Sequence, residues 1–234
     1  MLSLLSLSIF GSVATFLAFA VSGIELVAGK NPLGKSLESW AIEYWRWWIT
    51  VPPGIEKQSC VMHSVPNASM VFLINPWTVN YQGTCNIPSD KHILVPLLVG
   101  ECDTTLPDAK GGEIESLWQC AASADEPFEA WSVVIDNNVI SRNWGNDVVN
   151  EGLVKDILVR NSAKFMIEIP EINDLDVKAG LYPAVVDGYY LVLKPLSPGE
   201  HNLEYKINQK KVGTGVGNVP PIVGGTAVYN LHVE

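Results

Sequence analysis

The stretch "PAVVDGYYLVLKPL", residues 183–196, sets β-rich runs on either side of Asp187-Gly188. Valine, tyrosine and leucine suit a pleated, half-buried surface, and Asp-Gly between such runs supplies the positive φ that a tight hairpin needs. The stretch therefore reads as two antiparallel strands joined at Asp187-Gly188, the strongest local hairpin signal in the chain. The same grammar holds on both sides. "GEHNLEYKIN" (199–208) alternates His201, Leu203, Tyr205 and Ile207 against polar neighbours, and "TAVYNLHVE" (226–234) sets Tyr229, Leu231 and Val233 against Val228, Asn230 and His232. That is the period-2 pattern of half-buried strands. Upstream, "KFMIEIP" (164–170) alternates before Pro170, and "AWSVVIDNNVISRNW" (130–144) reads as a hairpin with Asp136-Asn137-Asn138 at its turn. "SMVFLIN" (69–75) and "HILVPLLV" (92–99) are short apolar runs. Pro96 confines the second to an edge or a bulge, because proline cannot donate to the ladder. Short strands with frequent turn signals predict a mainly β fold, an Ig-like or jelly-roll-like β-sandwich.

One segment breaks the β pattern. "WAIEYWRWW" (40–48) holds four tryptophans and a tyrosine in nine residues. Ser36 is placed to cap a helix from Leu37 to about Ile49, which must end before Pro52-Pro53. At helical pitch Leu37, Trp40, Ala41, Tyr44, Trp45, Trp47 and Trp48 form one continuous face, widened by Ile42 and Ile49, while Ser39, Glu43 and Arg46 form a narrow polar strip. The expectation is an amphipathic helix packed along the sandwich.

The chain's 234 residues carry 15 Lys+Arg against 25 Asp+Glu, a net charge of -10. An acidic chain without a basic cluster is a poor partner for nucleic acid or anionic lipid. Residues 1–28 open with a long uncharged apolar run, and Ala18 and Ala20 stand in A-x-A spacing. That predicts a secretory signal cut after Ala20, or an uncut membrane anchor, followed by one domain over 29–234. Either way the rest of the chain is extracytoplasmic, secreted or held at the outer face of the membrane. Cys60, Cys85, Cys102 and Cys120 are then expected to form two disulfides, sequential pairing being the simplest of three possibilities. Each loop contributes about 3 kcal/mol in the chain-entropy picture. Asn67-Ala68-Ser69 is a glycan acceptor sequence in a host that glycosylates.

Signatures of chemistry are sparse. "GTGVG" (213–217) lacks the helix that would receive a phosphate, since Pro220-Pro221 follow. "NDLDVKAG" (173–180) places Lys178 where a calcium loop needs oxygen. There is no G-x-S-x-G, no H-E-x-x-H and no cofactor motif. His201 follows the turn "LSPGE" and suits a bond to turn backbone. Acid pairs such as Glu101/Asp103 accompany any acidic surface. Trp77, Trp118, Trp131 and Trp144 read as core or disulfide-packing aromatics before they read as sugar-stacking platforms.

"NPLGKSLESWAIEYWRWWITVP" (31–52), "CNIPSDKHILVPLLVGEC" (85–102), "VRNSAKFMIEIPE" (159–171) and "AVVDGYYLVLKPLSPGEHNLEYK" (184–206) together resemble a family of exported bacterial and archaeal proteins with no assigned reaction. Its members show a tryptophan-rich N-terminal segment, a central proline element continuing as P-x-x-x-x-E, and a C-terminal "DG(Y/F)…PLxPGxH" element. The resemblance implies export and a sandwich whose "LSPGEH" turn is similar to turns of Ig-like modules. It marks Pro96 and Glu101 as positions of a family-specific site. The chain departs at 54–84, with "SMVFLINPW" where relatives carry "Q-x-G-x-V-W-F-L".

Three functional expectations follow. The first is a non-enzymatic exported module, binding or structural, whose partner is a cell-surface protein or a glycan. The second is an enzyme or metal-dependent site built around His63, His92 and Glu101. The third is a carbohydrate-binding module using exposed Trp77 or Trp144.

Overall fold

The computed structural model describes residues 25–27, 29–52, 54, 58–75, 80–109, 111–123, 128–143, 156–173, 177–209 and 225–234. The glycine loop 213–217, Trp77, Trp144 and the apolar segment 1–24 lie outside them, as do residues 174–176 of the calcium-like stretch.

Two sheets form the sandwich. The first has β1 (Met62–Ser64), β2 (Met70–Leu73), β4 (His92–Asp103), β9 (Gly180–Leu193) and β7 (Leu158–Val159) in that order, with β8 (Phe165–Ile169) also pairing with β9. The second runs β3 (Tyr81–Ile87), β11 (Thr226–Val233), β10 (Gly199–Gln209), β5 (Phe128–Ile135) and β6 (Asn138–Asn143). Most neighbours are antiparallel, but β2 with β4 and β3 with β11 are parallel.

The opening stretch behaves differently from its hairpin expectation. Residues 180–193 form one unbroken strand, and Asp187-Gly188 lies mid-strand, opposite Gly100 and Val99 of β4. The register shifts there, between Pro96 and Val99, so β4 carries an extra residue. Gly188 has φ 120° and accommodates this bulge. Asp-Gly did report a positive φ, but one spent on a bulge in mid-ladder. The bulge expected at Pro96 is present, and it sits in a central strand. Partnership with β2 has already ended at Leu94, so no donor is missed on that side.

Alternation along β9 assigns each layer. Ala184, Val186, Tyr190 and Val192 turn toward the helix α1 (Leu37–Trp48), whereas Tyr189, Leu191 and Leu193 pack between the sheets. Val185 lies with Cys102 under a second helix, α2 (Ile114–Ala122). The molecule is therefore layered as helix, sheet, sheet, with α2 filling one end. Neither α2 nor β3 was legible as an element beforehand, although β3 alternates buried and exposed residues throughout.

α1 matches its sequence. Ser36 caps it by accepting from Ser39 N–H at 3.1 Å, and Leu37, Trp40, Ala41, Tyr44, Trp45 and Ile49 are buried. The indole of Trp45 donates to the Tyr190 hydroxyl at 2.8 Å, and Asn75 N–H donates to the Tyr44 hydroxyl at 3.2 Å. The polar strip has its own use: Glu43 pairs with Lys35, and Arg46 donates to the Met166 carbonyl at 3.3 Å.

The cysteines pair sequentially, Cys60–Cys85 and Cys102–Cys120. The first ties the segment entering β1 to β3 and so crosses from one sheet to the other. The second fastens α2 to β4. At the other end of the chain's described part, Leu26 bridges Leu193, and Val27 N–H donates to the Val192 carbonyl at 2.9 Å. The chain leaving the apolar segment is thus bound along β9 within a few residues.

Candidate functional site

His63, His92 and Glu101 are distributed along the first sheet and do not converge. His63 pairs with Phe72, which pairs with Leu94, so it lies across the sheet from the start of β4. His92 opens β4 and Glu101 lies near its end, about 30 Å apart at the strand rise. His63 stacks on Trp47 with ring centroids 5.5 Å apart and an interplanar angle of 17°. Burial there lowers its pKa, with Glu43 opposing. Burial likewise lowers the pKa of His92, against a bond at Ser69 and with Lys194 nearby. The His63 ring packs on Trp47 and Phe72, and burial favours the neutral form of both histidines.

Glu101 is the unusual one. Its Oε1 is fully shielded and has no hydrogen-bond partner among the described residues. Burial, reinforced by Asp103 on the same face of β4, raises its carboxyl well above the usual range. Asp103 is itself buried and accepts from Thr105 N–H at 2.6 Å. Next to Glu101's partner Val186, Asp187 is buried and meets Arg160 at 3.3 Å. Among the described residues no group of three His, Cys, Asp or Glu side chains is placed to hold a metal ion.

The structure also assembles a constellation that spacing alone conceals. His201 Nδ1 lies 2.5 Å from Asp136 Oδ2, and its Nε2 lies 3.5 Å from the Ser197 hydroxyl. Serine, histidine and aspartate in that order form the arrangement of a nucleophilic triad. The protonation state argues otherwise. Nε2 is only 2.7 Å from the Ser197 carbonyl, which can only accept. Acceptors at both nitrogens favour the imidazolium, a form with no lone pair to take the serine proton. Desolvation lowers the His201 pKa, but the bonds to Asp136 and Ser197 outweigh it and the net shift is upward. The group is a clamp. Asp136 and Asn137, both at positive φ, turn β5 into β6. Asp136 also accepts from Asn202 N–H at 2.9 Å, which locks that turn to β10. The expected bond of His201 to the turn backbone is present.

Because the folded pKa of His201 is raised, its contribution is complete below the unfolded value near 6.5 and is lost as pH rises through the folded value. His201→Gln is therefore expected to cost about 1 kcal/mol at about pH 5.5 and less at about pH 8.5. Chemical denaturation of both proteins at the two pH values isolates this from His63 and His92, whose lowered pKa values act in the opposite sense. A difference that grows with pH would refute the clamp.

The most distinctive surface lies at the α2 end. Ile167 and Ile169 of β8 are buried beneath α1, so alternation sends Met166 and Glu168 to the opposite face. Across the ladder stand Pro183 and Leu181 respectively. Two residues further along β9 on that face, Val185 is covered by α2. The face therefore emerges from under α2 as an open ledge. Met166 is 41% exposed, Leu181 61%, and Ile172, just past β8, 77%. Only Leu33 joins them among the exposed large apolar side chains described. Glu168 and Glu171 are exposed beside them, and the Lys164 ammonium is occupied by the Gly112 carbonyl at 2.6 Å. No run in the sequence announces this ledge, because α2 decides where the apolar face is left uncovered.

Trp118 is a packing residue: it lies in the α2 cluster beside Cys120, with its indole donating to the Ser162 carbonyl at 2.8 Å. The class these features define is a disulfide-crosslinked β-sandwich carrying one face helix. Its two disulfides point to an oxidising setting. Among the described residues no helix is long and apolar enough to cross a membrane. No family model and no curated protein matches the chain. A solved structure described as PbICP-C in complex with falcipain-2 aligns at 12% identity and a TM-score of 0.27, covering 70% of this chain and 98% of that one. A likeness of that size carries no argument about fold or partner.

Proposed function

We propose that the protein is an exported, non-enzymatic binding module that takes a protein segment on the β8–β9 ledge. The observation that carries this is the exposure of Met166 and Leu181 on the same face of the β8–β9 ladder, with exposed Ile172 just past β8 and acidic Glu168 and Glu171 alongside. Isolated exposed apolar side chains are ordinary, but a cluster with a polar rim is characteristic of an interaction surface. Burying such side chains is worth about 2 kcal/mol each. The exposed carboxylates favour a partner bearing lysine or arginine next to its apolar residues, and they speed encounter with it.

The test is an NMR titration of the labelled protein with peptides of about a dozen residues. One peptide alternates leucine and lysine, a second leucine and glutamate, and a third serine and lysine. Saturable shifts confined to residues 164–172 and 180–185, seen with the first peptide alone and weakened about tenfold by Leu181→Asn, support the reading. Shifts elsewhere, equal response to all three peptides, or concentration-dependent self-association through the ledge would each overturn it.

A further inference from the structure

At the far end of the first sheet a second surface feature stands apart from the ledge. β1 and β2 are joined by Val65-Pro66-Asn67-Ala68, in which Ala68 N–H donates to the Val65 carbonyl at 3.3 Å. Val65 N–H in turn donates to the Met70 carbonyl at 2.9 Å, closing the base of the turn. Asn67 occupies the third turn position with φ 58°. Proline second and asparagine third, with positive φ at the third, suit a type II turn. Pro66, Asn67 and Ser69 are all exposed, while Met70 immediately beyond is buried. Asn67 and Ser69 of the acceptor tripeptide are therefore open to solvent at and just past the turn, while Ala68 between them packs against the core and its carbonyl accepts from the Lys91 ammonium at 2.7 Å.

The hairpin's position gives a modification there a purpose. β1 is three residues long and pairs only with β2 among the described residues, so it is the margin of its sheet. An exposed strand margin is a template for pairing with other chains, and a bulky polar group at its tip blocks the approach. The turn is also remote from the ledge. Met70 lies level with His92 at one end of β4, and Ala184 level with Asp103 at the other. That separation is about 36 Å along the strand.

We propose that Asn67 carries an N-linked glycan, independently of what the ledge binds. The donor is an oligosaccharide on a polyprenyl phosphate or pyrophosphate, used by a membrane transferase of the export pathway. Asn67 Nδ2 forms a bond to the anomeric carbon of the sugar and loses one proton. The bond from that carbon to the phosphate oxygen breaks, and the lipid phosphate departs with its electron pair. No redox change occurs.

The experiment is glycopeptide mass spectrometry on the chain purified from its natural source. It is repeated on Asn67→Gln and Ser69→Ala expressed in that source. The expected result is a peptide spanning Asn67 with a mass excess that fragments as hexose-type units. Both variants should lose the excess, and Ser69→Ala, which leaves the positive-φ position unchanged, should also keep the unfolding midpoint of the enzymatically deglycosylated protein. Ser69→Ala keeps Asn67 and its turn geometry, so loss of the modification in that variant separates recognition of the sequence from a folding defect. An Asn67 peptide at its bare mass would overturn the proposal. So would an excess that stays on the chain in Asn67→Gln.

Discussion

Gly188→Ala is expected to destabilise the protein by at least about 3 kcal/mol, enough to remove most of the stability of an ordinary domain. Gly188 has φ 120°, a conformation that L side chains rarely adopt. A Cβ there would overlap the Leu98 carbonyl oxygen and come within 2.6 Å of the Val99 Cα. Both neighbours are backbone atoms of the central strand β4, in the bulge that resets the register, and cannot swing aside as a side chain would. Relief requires pulling β4 from β9 at the point where Val159 of β7 also pairs. Gly199→Ala is the control. Its φ is 135°, but nothing lies within 4 Å of its Cβ position. It pays the conformational cost without the clash and should lose about 1–2 kcal/mol. Urea midpoints of the two variants decide the matter, and a Gly188→Ala protein within about 1 kcal/mol of the parent would sink the account of the bulge.

Removing the Cys60–Cys85 crosslink by the double change Cys60→Ala/Cys85→Ala is expected to cost about 3.5 kcal/mol. The crosslink closes a loop of separation 25, and the chain-entropy relation gives that magnitude. The packing loss is smaller but real, since Cys85 is 1% exposed within the core between the sheets. The same treatment of Cys102–Cys120, separation 18, gives about 3 kcal/mol by loop entropy. The two differ in what is released. The first bond joins the margins of the two sheets, so its loss should lower the cooperative unfolding of the whole sandwich. The second holds α2 over Cys102 and Val185, and its loss should expose amides of 114–122 to hydrogen exchange ahead of global unfolding. Equal exchange protection of α2 in both double variants would contradict that division.

The face of α1 was legible because one helix period and one polar strip admit only one buried side, and Ser36 marked its start. β10 and β11 were legible because a two-residue period with turns at both ends leaves little choice. Sequential cysteine pairing followed from chain economy. Asp187-Gly188 shows the limit of such signals. The dipeptide encodes a tolerance for positive φ, and a hairpin and a bulge both use it. Only the pairing of β9 with β4, with one residue more in β4, selects the bulge. His201 was legible as a turn-binding residue from "LSPGE", but its second partner Asp136 lies 65 residues away and arrives only with the sheet.

Local sequence by itself settled α1, β10 and β11 and which side of each is apolar, because those properties depend on neighbours a few positions apart, and an even cysteine count settled that the chain is cross-linked. The ledge, the isolation of Glu101 from the two histidines, and the His201 clamp were decided by tertiary structure alone. Each depends on which long-range elements cover or meet a residue. A side chain's exposure is set by what packs over it: α2 covers Val185 and stops short of Leu181, and nothing in the residues themselves distinguishes the two.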